Sequence, residues 1–232
     1  HKLCNEALQQ GIAEGKALLQ DWLTILFVKY NKYIHLRLQK EAHLKEFRAS
    51  NLDLTFETLE NLSTLPKLIF GLLKSPLFNQ SNNTDEWAYL YSFLSGCDDK
   101  TFCNVVYPTL SGVESENSYP TINNIPLNNT AVKQVSSPIL VLDNGLEFII
   151  HYLQEIEPYP PSKDSQIMKL VTDKQETRLI TPSIRFTKQS QDPLSDTSQY
   201  FQDLLLEDHN AKGGSFPQFI EFCNREVIKS KK

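Results

Sequence analysis

Apolar residues recur along this chain with two different periods, and the change between them divides it. From residue 3 to residue 49 they return every three or four positions, at Leu8, Ile12, Leu18, Leu19, Trp22, Leu23, Leu26, Tyr30, Ile34 and Leu38. With Gln, Lys, Glu and Asp between them, this spacing predicts a long amphipathic helix, broken near Gly11 and Gly15. Residues 51–60 read as a connection. Residues 65–74 are apolar on almost every side (Leu65, Leu68, Ile69, Phe70, Leu72, Leu73), so a helix there has to be enclosed, and the long helix is its natural partner. Thr64 is its expected N-cap, Pro66 falls in the first turn, and Ser75-Pro76 ends it. A third helix opens at Thr84 with Asp85 and Glu86 against its dipole. It carries Trp87, Leu90, Tyr91 and Leu94 and is expected to stop at a left-handed Gly96. Asp98 caps a short fourth helix through Phe102, Val105 and Val106, which Pro108 closes. Residues 1–115 are therefore expected to be an all-helical domain.

The period then changes. Residues 116–137 are rich in Ser, Asn and Pro and have no apolar repeat, which predicts a surface linker. Ile139–Leu142 and Leu146–Tyr152 read as strands joined by Asp143-Asn144-Gly145, an Asn-Gly hairpin whose central residues both call for positive φ. Pro158, Pro160 and Pro161 interrupt the chain. Asp164 is the expected cap of a helix carrying Ile167, Met168, Leu170 and Val171, and Ser183–Thr187 is a further strand. Two helices close the chain around the Lys212-Gly213-Gly214 turn. One holds Tyr200, Phe201 and Leu204–Leu206; the other opens with a Ser215/Gln218 capping box and carries Phe219, Ile220, Phe222, Cys223 and Val227. The fold class is multidomain α and α/β: an all-helical domain, then a small α/β domain over residues 138–232.

Charge removes several functions. The net charge of −5 is spread over both halves, with 11 basic and 13 acidic residues in 1–115 and 12 and 15 in 116–232. Neither half has the basic excess that a phosphate backbone or an anionic membrane surface requires. No apolar run is long enough to span a bilayer and no signal-peptide pattern is present. The chain opens at His1 without methionine, which suggests a fragment or processed product. Cys4, Cys97, Cys103 and Cys223 are too scattered for a disulfide framework and read as free thiols in a reducing compartment.

Candidate chemistry is sparse. There is no phosphate loop, HExxH, CxxC or GxSxG pattern. His35 and His43 stand eight apart without a third ligand type and read as surface helix residues. Glu207-Asp208-His209 is the most reactive-looking cluster, but no nucleophile accompanies it, so a polar helix end is the better reading. Trp22 and Trp87 are assigned to the core. The Asn-x-Ser/Thr triplets at Asn61, Asn79, Asn82 and Asn128 are attributed to chance. No catalytic, cofactor or metal residue is assigned, and cargo-binding residues are left unassigned.

Several stretches together resemble a known family. Leu59–Phe78, then Asp85–Tyr91, then Tyr107-Pro108-x-Leu110 is similar to the helical domain of the COPII inner-coat subunits. Ile139–Phe148 resembles the opening hairpin of that family's gelsolin-like domain. Phe201–Asp208 and Ser215–Phe222 resemble its last two helices. Ile150-His151-Tyr152-Leu153 and Lys67 depart from the family pattern, and 154–180 has no evident counterpart in it. The Leu-Asp-Asn-Gly hairpin and the Leu-Glu-Asp ending favour the cargo-adaptor type. The resemblance implies a non-enzymatic scaffold for cargo selection in transport from the endoplasmic reticulum (ER) to the Golgi. It would be cytoplasmic and peripheral at the ER membrane and vesicle coat, paired with its sister subunit. Contact with the coat small GTPase would be indirect, and cargo and SNARE sorting signals would be its ligands. The family's zinc finger would precede His1, leaving no cofactor in this chain. The alternative is the sister subunit, which stimulates the GTPase with an arginine; Arg178, Arg185 and Arg225 are the arginines of the second domain. A more remote alternative is an actin- or calcium-binding gelsolin-type domain, for which no calcium-loop spacing is present.

Overall fold

The computed structural model describes residues 2–42, 62–78, 84–189, 196–208 and 214–230. In chain order they form α1 (Lys2–Gln9), α2 (Ile12–Ala42), α3 (Leu65–Lys74), α4 (Thr84–Gly96), α5 (Asp99–Val106), β1 (Thr109–Val113), α6 (Asn129–Gln134), β2 (Ile139–Asp143), β3 (Glu147–Tyr152), α7 (Gln166–Glu176), β4 (Ser183–Lys188), α8 (Asp196–Asp203) and α9 (Phe216–Ser230). Two compact units result, residues 1–87 with 216–232 and residues 88–215, and their boundary falls inside α4. A helical unit and a four-stranded mixed sheet are thus both present, as the apolar periods imply. The division of the chain between them is different from that expected.

In the helical unit the chain turns between α1 and α2 at Gly11, whose φ of +94° suits a residue without Cβ. Gly15 does not break the helix. It lies inside α2, where a Cβ would strike the backbone carbonyl of Ala7 on α1, so this glycine serves close helix approach instead. Leu19, Leu23 and Phe27, four residues apart, form the buried stripe of α2. Trp22, expected in the core, lies off that stripe and is 40% exposed. Thr64 precedes α3 as expected but does not cap it with its side chain. It holds the N-cap position, with its carbonyl accepting from Leu68 N, but it has helical φ/ψ; Ser75 ends the helix in the extended conformation that Pro76 favours. Ile69, Phe70 and Leu72 are buried. α9 packs against α2 and α3, with the Phe216 and Phe219 rings 5.2 and 5.4 Å from the Phe70 ring. The last helix therefore belongs to the helical unit and not to the α/β domain. Phe219, Cys223 and Val227 make a buried face that needs an apolar partner, and α3 is apolar on nearly all sides.

The sheet unit has strand order β1-β2-β3-β4. β1, β2 and β3 are antiparallel neighbours, and β4 runs parallel to β3 after the α7 crossover. Every residue of β2 and β3 is buried, which explains their near-continuous apolar sequence. Residues 109–113 are an edge strand, with Leu110 opposite Leu142, and not the close of a helical domain. Residues 116–137 are not a linker. Ile125, Leu127 and Val132 sit in one core cluster with Leu140, Leu142 and Phe201, and Ile125 N donates to Leu110 O at 2.9 Å. Its apolar residues are spaced irregularly because turns set them, so no period announces them. Asn128 caps α6 by accepting from Ala131 N. Asp98 caps α5 as expected, whereas α7 is capped by Ser165 and not by Asp164. Gly96 ends α4 without entering the left-handed region, and Leu204–Leu206 continue past α8 in turns. Residues 43–60, among them His43, and His209 lie outside the described residues, as does the His35 side chain.

Candidate functional site

Two buried carboxylates organise the β2–β3 hairpin. Asp143, at the end of β2, accepts from Arg178 Nη1 at 2.8 Å and Arg178 Nη2 at 2.5 Å, with side chains 5% and 8% exposed. Asn104 Nδ2 on α5 donates to the same carboxylate at 3.3 Å. The turn is not the two-residue form expected, because Gly145 alone has positive φ, at +83°. Asp143 Oδ1 instead accepts from Gly145 N, and Asn144 Oδ1 accepts from Leu146 N and Glu147 N. A Cβ on Gly145 would strike the Val105 side chain, so α5 lies directly on the turn. Glu147, at the start of β3, accepts from Arg185 Nε at 2.7 Å and from the Tyr200 hydroxyl at 2.5 Å. Burial and this carboxylate together push the Tyr200 phenol up to about 12. Two of the three candidate arginines are thereby committed to the hairpin. The third, Arg225, is exposed on α9.

Glu207 and Asp208 form a clamp and not an acid–base pair. Glu207 accepts from the Tyr107 hydroxyl and from Asn128 Nδ2 at 2.9 Å, and its backbone N donates to Leu127 O. Burial, and secondarily this carboxylate, push the Tyr107 phenol far above its ordinary range. Asp208 accepts from Asn129 N and Nδ2 at 2.8 and 2.7 Å. The segment after α8 is thus fixed to the start of α6. Asn128, the one described Asn-x-Ser/Thr position, spends both ends of its amide in this network.

At the ends of β3 and β4 the sheet unit holds a cavity of about 510 Å³. Asn129, Val132 and Lys133 of α6 form one wall, Phe201 and Gln202 of α8 another, and His151, Leu153, Gln154 and Gln189 border the strand ends. His151 is 3% exposed and stacks on Phe201 with ring centres 3.9 Å apart. Its Nδ1 lies 2.8 Å from the hydroxyl of the fully buried Thr187. Burial lowers its pKa to about 4, so the ring is neutral at physiological pH. Sequence reasoning missed this residue; an isolated His in an apolar strand was the available signal. All four cysteines are free, and burial raises each thiol pKa, Cys4 to about 11 and Cys223 to about 12. Trp87 is half-buried and its indole N–H donates to Leu77 O at 3.2 Å. Among the described residues no group of three or more His, Cys, Asp or Glu is placed to hold a metal ion.

The helical unit and the four-stranded sheet both have relatives. Residues 1–103 match the Sec23/Sec24 helical domain. Protein transport protein SEC23 D of Arabidopsis thaliana is 29% identical over 232 residues, covering 97% of this chain and 30% of that protein. The crystal structure of the human COPII-coat protein Sec24c covers 100% of this chain and 32% of that one, with a TM-score of 0.72 at 16% identity. At that identity the likeness is one of fold, and it takes in both the Sec23/Sec24-type helical part and the sheet that follows it. The chain spans about a third of the length of these relatives.

Proposed function

We propose that this chain is part of a COPII inner-coat subunit of the cargo-adaptor type, acting as a non-enzymatic scaffold in ER-to-Golgi vesicle formation. The observation that carries this reading is coverage: a SEC23 protein aligns with 97% of the chain, and the Sec24c fold extends over all of it. The buried carboxylates support a scaffold, since Asp143, Glu147 and Glu207 are each taken up by hydrogen-bond partners within the sheet unit. Pairing with the sister subunit, cytoplasmic placement at the ER membrane and contact with sorting signals follow from the same reading. No helix among the described residues is long and apolar enough to cross a membrane, which suits peripheral attachment through the coat.

The likeness to SEC23 D favours a second reading, the sister subunit that stimulates the coat GTPase. Such stimulation is commonly worked by an arginine presented to the transition state. Of the three arginines only Arg178 is withheld in a buried pair, with Asp143; Arg185 is 52% exposed beside Glu147 and Arg225 is exposed on α9, so hydrolysis itself has to separate the two readings. The native protein, added to the GTP-loaded coat GTPase on liposomes, is expected to join the membrane-bound coat without accelerating hydrolysis. Acceleration in the absence of the sister subunit would reverse the assignment, and failure to join the coat would remove it.

A further inference from the structure

The cavity at the ends of β3 and β4 is open to solvent, with Lys133, Gln154, Gln189 and Gln202 exposed at its rim. Its charge is one-sided among the described residues: Lys133 lines it with His151, Asn129, Ser137, Gln154, Gln189 and Gln202, and no described Asp or Glu does. Asp208, which bonds the lining residue Asn129, is already used by that residue's N and Nδ2. Lys133 has no carboxylate partner among the described residues. The histidine adds a directed donor. Thr187 is 0% exposed and its one side-chain hydrogen-bond partner among the described residues is His151 Nδ1, so the pairing that leaves no buried hydroxyl proton unmet has the hydroxyl donating. Nδ1 then accepts, and the neutral ring carries its own proton on Nε2. His151 lines the cavity, and its Nε2 has no hydrogen-bond partner among the described residues. Val132, Leu153 and Phe201 supply the apolar surface beneath. The volume lies within the range of ordinary small-ligand pockets.

We infer that this cavity binds a carboxylate carried on a small apolar body, with Lys133 and His151 Nε2–H on the carboxylate and Val132, Leu153 and Phe201 against the apolar part. Such a group reaches the cavity either at the end or in an acidic side chain of a peptide, or as a free aliphatic acid. The recognising chemistry is the same in each case: charge-assisted hydrogen bonds to an oxygen pair, in a site with no competing carboxylate among the described residues. This inference does not depend on the coat assignment, because it rests on the lining of the sheet unit alone.

The test is calorimetric titration of the native protein with N-acetyl-leucine, its carboxamide, hexanoate and a capped peptide with one internal glutamate. N-acetyl-leucine is expected to bind about tenfold or more tightly than its carboxamide, the margin of a charge-assisted contact. Lys133→Met and Gln202→Glu, both at exposed positions, are expected to remove that preference. The His151 ring resonances should move on adding the acid and stay still with the carboxamide. Binding of hexanoate alone would identify a free acid as the source; binding of the peptide alone would identify an acidic side chain. Equal binding of acid and carboxamide, no binding of any probe, or acid binding unchanged in both variants with the His151 signals fixed would overturn the inference.

Discussion

Asp143 shows how one carboxylate can fix a whole unit. It ends β2, shapes the hairpin turn through Gly145 N, and holds Arg178 from beyond α7 in a bidentate pair. Removing one partner of such a pair strands the other charge, so Asp143→Ala is expected to destabilise the sheet unit by about 3–5 kcal/mol. Adding Arg178→Met should restore most of that in a double-mutant cycle followed by urea unfolding; no restoration would show that the pair is not coupled. Gly145→Ala is expected to cost about 1–3 kcal/mol, from its positive φ and from collision with Val105. His151 makes a pH prediction. Its folded pKa of about 4 lies below the ordinary value of 6.5, so the unfolded chain takes up a proton first as pH falls. Its contribution is complete above pH 6.5, declines as pH falls from there to 4, and loses nothing more below that. Between pH 7.5 and 5 the loss is about 2 kcal/mol. Urea unfolding at the two pH values should show that difference in the native protein, and His151→Gln should abolish it.

At the scale of elements, the signals that proved legible were those with a local cause. Asp98, the Ser75-Pro76 stop and the apolar runs of β2 and β3 each act on adjacent backbone, and the structure has them where the sequence implies. Asp164 illustrates the limit: two adjacent plausible caps, Asp164 and Ser165, do not reveal which one is used. Gly15 reads as a breaker because its neighbour α1 is invisible in the sequence. Gly15→Ala should force α1 off α2 at about 1–3 kcal/mol, the cost of overpacking. Hydrogen exchange should then speed up over residues 2–9 and leave the sheet unit unchanged; unaltered exchange in α1 would refute the close approach. The cavity was not legible at all. Its lining comes from α6, β3, the residue after β4, and α8, and residues 116–137 look like linker until Leu127 and Val132 are seen in the core.

For the whole molecule, the apolar period revealed two classes of structure but not how the chain shares itself between them. α9 begins 142 positions after the end of α3, and further still from α2, yet completes their unit, and such pairing leaves no local mark. Deleting residues 216–232 is therefore expected to destabilise the helical unit while the 88–215 unit keeps its unfolding midpoint; the reverse would return α9 to the sheet. What the two units serve together is the coat assignment. Its most direct test is affinity isolation of the native protein, tagged at its own locus, with quantification of what accompanies it. The account predicts a near-stoichiometric COPII inner-coat partner that survives salt washing. Recovery of the protein without any coat subunit, under conditions that keep a known coat heterodimer intact, would contradict it.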